Sequence, residues 1–166
     1  LAPGSREVEQ ISWAFANRGD PASAVAADPS GEGLWIGFFR GGVVYYAGGQ
    51  VRASYAAADG LAEGRVSALY ADPAGTLWVA TDGGLSRLQN GRVATLNSRN
   101  GLPCDATGWV IEDAARSLWL GMTCGLVRIA RTEIDAWATA ADQRAGRDDL
   151  VHRVQATVFD QADGVR

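Results

Sequence analysis

The stretch Asp72–Arg87 reads DPAGTLWVATDGGLSR, and the order of its residues predicts a turn, a strand, a second turn and a second strand. Its apolar tetrad, Leu77–Ala80, fits a short buried β-strand. The glycines on either side of the tetrad suit tight turns, because glycine adopts positive φ at little steric cost. The stretch therefore predicts a β-hairpin in an antiparallel sheet.

The tetrad recurs along the chain. Leu34–Gly37 and Leu118–Gly121 repeat the Leu-Trp-apolar-small pattern of Leu77–Ala80, and a glycine with a second short strand follows each copy. A glycine also marks the boundary between units, and the first three marks, Gly19, Gly60 and Gly101, are 41 residues apart each time. A period of about 40 to 45 residues with four short strands in each unit is typical of a β-propeller blade.

The predicted fold class is all-β: a partial β-propeller of about three four-stranded blades plus one extra strand, with one helical insertion in the last blade. The chain is expected to form one partial propeller over 1–166. Residues 10–22 are predicted to be the outer strand of a preceding blade. The blades are then predicted over 23–61, 62–102 and 103–166.

The helical insertion is predicted over 131–146, between the third and fourth strands of the last blade. Ile134, Trp137, Ala138 and Ala141 fall on one face at helical spacing. Thr132 with Asp135 resembles a capping arrangement, and Gly146 is the expected stop. We expect this helix to cover the bottom or the outer edge of its blade. Docking of a partner on the helix is the alternative.

Composition narrows the classes of function. Hydrophobic residues make up 47% of the chain, charged residues 20%, and the 21 glycines far outnumber the 5 prolines, as a fold with many tight turns requires. The formal net charge is −4 and no basic run occurs, which disfavours nucleic-acid binding. No apolar stretch is long enough to insert into a membrane, and the first ten residues lack the apolar core of a targeting signal.

The motif Asp-x-x-Gly-x-Leu-Trp-(Ile/Val)-(Gly/Ala)-Thr-x-x-Gly-Leu-x-Arg, followed by Asp-Gly-Leu, resembles two-component regulator propeller repeats. Residues Asp72–Arg87 carry it almost completely, and the resemblance extends over roughly 10–166. Phe38–Gly41 and Met122–Cys124 depart from the motif in the other two units. The resemblance implies a fragment of the extracytoplasmic sensor propeller of a hybrid two-component histidine kinase. It implies ligand binding without chemistry, in a parent protein that is periplasmic or otherwise extracytoplasmic.

Two sets of loops are expected on one face of the propeller. In a four-stranded meander, the turn between strands two and three points the same way as the loop that leads to the next blade. Such loops commonly carry function, so we expect a small-molecule ligand there. The predicted ligand-facing residues are Arg40, Asp59, Asp82, Arg99, Asn100, Asp105 and Thr123.

The two cysteines are expected on that same face of the last blade. Cys104 leads into its first strand and Cys124 lies in its hairpin turn. The sequence is compatible with a disulfide between them and with two free thiols. The third alternative is a zinc or similar divalent metal site that uses Cys104, Cys124 and Asp105, although two cysteines and one acid make an incomplete ligand set.

Other conspicuous residues have structural interpretations. Trp35, Trp78 and Trp119 are expected between blades, where a tryptophan buries on the order of 200 Å². The aspartates before the tetrads, Asp28, Asp72 and Asp113, are expected to accept backbone N–H bonds in turns. The single histidine, His152, is expected toward the opposite face, away from the cysteines.

Two functions from different classes follow. The first is a sensor or ligand-binding module without catalysis. The alternative is a metal-dependent hydrolase whose site forms on the loop face or in the channel of an assembled propeller. Because three blades leave sheet faces uncovered, we also expect the chain to form a homo-oligomer that closes a propeller ring.

Overall fold

The structure is a computed structural model that describes residues 10, 12, 19–144 and 152–164. Most of the predicted extra strand over 10–22 lies outside the described residues, and so does Gly146, the predicted helix stop. Within the described residues, no helix is both long enough and apolar enough to span a membrane.

The described chain forms three four-stranded antiparallel sheets, each a meander in which every strand pairs with the next one along the chain. Blade 1 contains β1 (Ala22–Ala27), β2 (Gly33–Phe38), β3 (Val43–Ala47) and β4 (Gln50–Tyr55). Blade 2 contains β5 (Val66–Ala71), β6 (Leu77–Thr81), β7 (Gly84–Gln89) and β8 (Arg92–Leu96). Blade 3 contains β9 (Thr107–Glu112), β10 (Leu118–Met122), β11 (Gly125–Ile129) and β12 (Ala156–Phe159).

The three sheets lie side by side around the first strand of each. Strand β5 contacts β1 on one side and β9 on the other, so the first strands are innermost and the fourth strands are outermost. This arrangement is that of propeller blades, and it confirms the predicted all-β partial propeller with a four-strand meander in each unit.

The turn between the first and second strands of each blade is built on the repeated aspartate. Asp72 Oδ1 accepts hydrogen bonds from the backbone N–H groups of Ala74 and Thr76, both at 2.9 Å. Asp113 Oδ1 accepts the equivalent pair from Ala115 and Ser117, also at 2.9 Å. The predicted turn role of these aspartates is confirmed, because a short carboxylate can satisfy the donors of a tight turn.

Two apolar clusters join the blades. Val66, Leu77, Val79 and Leu88 of blade 2 pack with Val43 and Trp35 of blade 1. On its other face, blade 2 packs Trp78, Leu85 and Leu96 against blade 3 residues that include Leu118, Leu120 and Ile129. Blade 2 is therefore covered on both faces, and its second strand is buried throughout.

The predicted insertion is helix α1 (Arg131–Gln143), which lies between β11 and β12. Ile134 and Trp137 are buried, and the Trp137 ring packs 6.4 Å from that of Trp78, measured between centroids. The helix therefore covers the lower end of the junction between blades 2 and 3, as expected of a covering element. Its predicted cap was wrong, because the helix already begins at Arg131 and its N-cap is Ala130, which makes no side-chain bond. Asp135 pairs with Arg131 Nε at 2.8 Å.

Candidate functional site

The turns between second and third strands and the loops between blades meet on one face, which we call the loop face. Between blades 2 and 3 this face holds a groove of about 540 Å³. One wall comes from the loop after blade 1 and the β6–β7 turn, and the other from the end of blade 2 and the start of blade 3. The lining residues include Leu61, Glu63, Gly83, Thr95, Asn97, Ser98, Arg99 and Asp105.

Each loop that leaves a blade folds into one turn of 3-10 helix closed by its own last side chain. Asp59 Oδ2 accepts from the Ala56 N–H at 2.9 Å, and Asn100 Oδ1 accepts from the Asn97 N–H at 3.1 Å. The following glycine, Gly60 or Gly101, has φ of 98° or 104°, which an L-residue rarely adopts. Asp59 and Asn100 therefore hold the loops in shape.

Two hydroxyl groups, those of buried Ser86 and half-buried Thr95, fix the first wall of the groove. Ser86 Oγ lies 2.7 Å from Thr95 Oγ1 and accepts the Ala62 N–H at 2.9 Å. Thr95 Oγ1 also donates to the Gly60 carbonyl at 2.8 Å. This chain of bonds ties the loop after blade 1 to the outer strands of blade 2, so the wall is held in place before any ligand arrives.

The carboxylates of Asp82 and Asp105 on the loop face also accept hydrogen bonds from the backbone. Asp82 Oδ2 accepts the Arg65 N–H at 3.0 Å, and Asp105 Oδ1 accepts the Ser98 N–H at 2.7 Å. The hydrogen bond from the Ser98 backbone is the main reason that the pKa of Asp105 lies below its usual range. Both aspartates therefore act first as ties between loops.

Cys104 and Cys124 form a disulfide, with their Cα atoms 6.2 Å apart. The Thr123 hydroxyl lies 3.6 Å from Cys104 Sγ. In the described residues, no three side chains of His, Cys, Asp or Glu are grouped to hold a metal ion. A site using both thiolates requires them to be reduced, because a disulfide sulfur is not a thiolate ligand. The zinc site at these cysteines therefore stays a prediction that concerns the reduced protein, and the hydrolase with its site on the loop face or in the channel stays a prediction as well.

The predicted ligand-facing residues are distributed over three depressions of the loop face. Arg99 and Asp105 share the groove between blades 2 and 3. Arg40 lines a separate depression of about 370 Å³ between blades 1 and 2, and Thr123 lines a third beside the disulfide. Asp59, Asp82 and Asn100 lie on the loop face with their side chains bonded to backbone. Whether any of these residues contacts a ligand stays a prediction.

Sequence reasoning missed several groove residues, Glu63 and Asn97 above all. Both flank the glycine marks at Gly60 and Gly101, which indicated only where one unit ends and the next begins. Since each such loop connects an outer strand to the next inner strand, its flanking residues necessarily lie on the loop face. The spacing from each glycine mark was the signal that could have identified them.

His152 lies in a segment that contacts the loop after blade 2. The segment that contains it precedes β12, and the Val154 N–H donates to the Asn100 carbonyl at 2.7 Å. Val154 therefore lies against the loop after blade 2, and the position of His152 relative to the two faces stays a prediction.

The comparisons with known proteins agree with this architecture. Residues 60–83 match the Two component regulator propeller family. The extracellular domain of the hybrid two component system BT3049 of B. thetaiotaomicron shares the fold with a TM-score of 0.65 and 20% identity, over 87% of this chain and 17% of that one. No curated protein matches the chain.

A second solved structure, the extracellular domain of the one component system BT4673 of B. thetaiotaomicron, gives a TM-score of 0.65 at 16% identity. The match covers 91% of this chain and 21% of that one, so this chain spans about a fifth of the length of such structures. The chain thus shares the fold of these extracellular domains over most of its length, and residues 60–83 are similar to the Two component regulator propeller repeat.

Proposed function

We propose that this chain is the ligand-recognition part of an extracytoplasmic sensor propeller, and that the groove between blades 2 and 3 binds a small polar molecule without turning it over. The supporting observation is a groove with both walls braced by hydrogen bonds and with charged side chains of both signs at its rim. The side chains of Glu63 and Arg99 are exposed there.

The chemistry of the groove indicates the class of ligand. Its lining is more polar than apolar, with amide and hydroxyl groups from Asn97 and Ser98 beside the two charged side chains. A molecule that carries both hydrogen-bond donors and acceptors would satisfy Glu63 and Arg99 together. Binding to a braced groove also costs little ordering entropy, which favours recognition by pre-organised loops.

The disulfide supports a location outside the reducing cytoplasm. Disulfides persist in oxidising compartments and are rare in the cytosol. The bond between Cys104 and Cys124 joins two loop-face segments of blade 3. Together with the fold shared with extracellular domains, this bond supports the proposed extracytoplasmic position of the parent protein.

Binding can be tested by thermal unfolding and calorimetry with monosaccharides, amino acids, dicarboxylates and nucleosides as probes. A probe that binds the groove should raise the melting temperature of the wild type and bind at least about tenfold more weakly to Arg99→Ala and Glu63→Gln. Arg52→Ala is the matched control, because Arg52 is an exposed arginine on β4, away from the groove. Equal binding by all three variants would contradict the proposal.

A further inference from the structure

The loops that leave blades 1 and 2 form the same turn from different residues. In each loop, the N–H of the closing glycine donates to the carbonyl three residues earlier, at 3.0 Å for Gly60 and 3.4 Å for Gly101. Residues 56–58 of the first loop are all alanine, whereas residues 97–99 at the equivalent place in the second loop are Asn-Ser-Arg. The turn therefore forms without polar side chains at these positions, so its shape does not explain why the second loop carries them.

The polar residues of the second loop lie on the groove between blades 2 and 3. Asn97, Ser98 and Arg99 all line this groove, and Ser98 and Arg99 are exposed. Asn97 Oδ1 accepts the Arg99 N–H at 2.9 Å, whereas Ala56 caps the first loop without any side-chain bond. Because the turn makes no use of the Arg99 guanidinium, that group is available to a ligand in the groove.

Two carboxylates on the groove carry the opposite charge. Glu63 is exposed on one wall, and Asp105 lies on the other wall with Arg99. The hydrogen bonds from Ser98 are the main cause of the lowered pKa of Asp105, and the positive charge of Arg99 also lowers it. In the part of the chain that the structure describes, none of the ion pairs includes Arg99, Glu63 or Asp105. The groove therefore presents positive and negative groups that are not paired with one another.

The lining favours a ligand with two opposite charges over other small polar molecules. Among the described residues, no aromatic ring lines the groove, so a nucleobase would have no ring on which to stack. A dicarboxylate would bring its second negative charge near Glu63 or Asp105, and like charges repel. An uncharged sugar would form hydrogen bonds but would supply no counter-charge to Arg99 or Glu63. A zwitterion supplies one counter-charge to each.

Given the ligand-binding function proposed for the groove, on which this inference rests, we propose that the ligand is a free amino acid bound as a zwitterion. Its carboxylate pairs with the Arg99 guanidinium, beside the Asn97 amide. Its ammonium group lies toward Glu63 on the opposite wall, where the N–H donors of the ammonium match a carboxylate acceptor. Charge-assisted hydrogen bonds at both ends fix the direction in which the amino acid lies across the groove.

Isothermal titration calorimetry of the wild type with each of the common amino acids tests the ligand class. At least one amino acid should bind. Its amide, which lacks the carboxylate, should bind about tenfold more weakly or worse, and so should its N-acetyl derivative, which lacks the ammonium group. An amide or an N-acetyl derivative that binds as well as the amino acid itself would overturn the proposal.

Two single variants assign the two ends of the ligand. Arg99→Ala should remove the difference in affinity between the amino acid and its amide, because the carboxylate no longer has a partner. Glu63→Gln should in the same way remove the difference between the amino acid and its N-acetyl derivative. A difference that persists in the corresponding variant would contradict the contact assigned to that residue.

The alanine loop after blade 1 supplies a further variant. Asn97→Ala, Ser98→Ala and Arg99→Ala made together copy residues 56–58 into the second loop. This variant should still fold in thermal unfolding, because the first loop forms the same turn with alanines, and it should no longer bind the amino acid. Arg52→Ala is the matched control, since Arg52 is an exposed arginine on β4, away from the groove. Unchanged binding by the triple variant would overturn the proposal.

The outcomes distinguish a wrong ligand class from a wrong site. If no amino acid binds, but a monosaccharide, a nucleoside or a dicarboxylate binds and is weakened by Arg99→Ala and Glu63→Gln, the groove is a binding site and the amino acid is the wrong ligand. If no probe of any class binds, both the proposed function of the groove and the amino acid ligand are wrong.

Discussion

Blades 2 and 3 have the same strand order, but different kinds of bond hold their loops in place. In blade 2, the loop before the inner strand is held to the β6–β7 turn by the Asp82 carboxylate and by a bond from the Gly83 N–H to the Glu63 carbonyl, 2.9 Å long. In blade 3, the same two segments are joined by the Thr123 N–H to Ala106 carbonyl bond and by the disulfide. Both blades thus join the loop before the inner strand to the turn between the second and third strands, but they use different residues to do so.

The tryptophans at equivalent positions of blades 2 and 3, Trp78 and Trp119, differ in their burial and in their hydrogen bonds. Trp78 is 1% exposed, because blade 3 covers it and Trp137 of α1 packs against it. Trp119 stacks on Phe159 within its own blade and remains half-buried. Within the described residues, Trp78 Nε1 has no hydrogen-bond partner, whereas Trp119 Nε1 donates to Asp113. One motif residue thus serves as core in one blade and as partly exposed surface in the next.

The largest expected difference between the two blades is the loss of stability when Trp78 or Trp119 is replaced by alanine. Trp78→Ala should lower the free energy of unfolding by about 3 to 5 kcal/mol, because it leaves a cavity between blade 2, blade 3 and the helix. Trp119→Ala should cost about 1 to 2 kcal/mol, since that ring is already partly in water. Urea unfolding of both variants measures the difference. Equal losses would show that the two junctions are not distinct.

The two loop ties should differ in strength. Cys104→Ser with Cys124→Ser should lower stability by about 3 kcal/mol, as expected for a crosslink across a sequence separation of 20 residues. Asp82→Ala should cost only about 1 kcal/mol, the usual value of one hydrogen bond. Reductant should destabilise the wild type and Asp82→Ala by the same amount, measured by urea unfolding, and should leave the double serine variant unaffected.

The two small tetrad residues offer a finer comparison. Gly37→Ala should cost about 1 to 3 kcal/mol, because Val66 is fully buried and cannot move aside. Gly121→Ala should cost less than about 1 kcal/mol, since Trp109 is exposed enough to rotate away. Thermal unfolding of the two alanine variants would contradict this account if their losses were the same.

The smallest effect concerns acid stability at the turn of blade 3. The hydrogen bond from the Trp119 indole, more than any other cause, lowers the pKa of Asp113. A carboxyl with a lowered folded pKa contributes stability above its unfolded pKa of about 3.9, and this stability is lost as pH falls through the folded pKa. The Asp113→Asn variant should therefore lose less stability than the wild type as the pH falls below about 4. Unfolding experiments at a series of pH values measure the free energy of unfolding of both proteins.

Much of the fold was predictable because it depends on short sequence motifs that recur along the chain. The spacing of Gly19, Gly60 and Gly101 predicted the blades, and the alternation around each tetrad predicted the strand order within them. The groove was less predictable. The loop-face candidates were found by topology, but no sequence pattern indicated that Asp82 and Asp105 are used as ties or that Glu63 and Arg99 line the same depression.

The sequence by itself determined the meander, its turns and its period, because glycine conformations, aspartate-capped turns and strand alternation act over a few neighbouring residues. Only the tertiary structure decided which tryptophan is buried and which cysteine state forms. Those properties depend on contacts between residues far apart in the chain. Identical motif residues acquire different surroundings once the blades pack against one another.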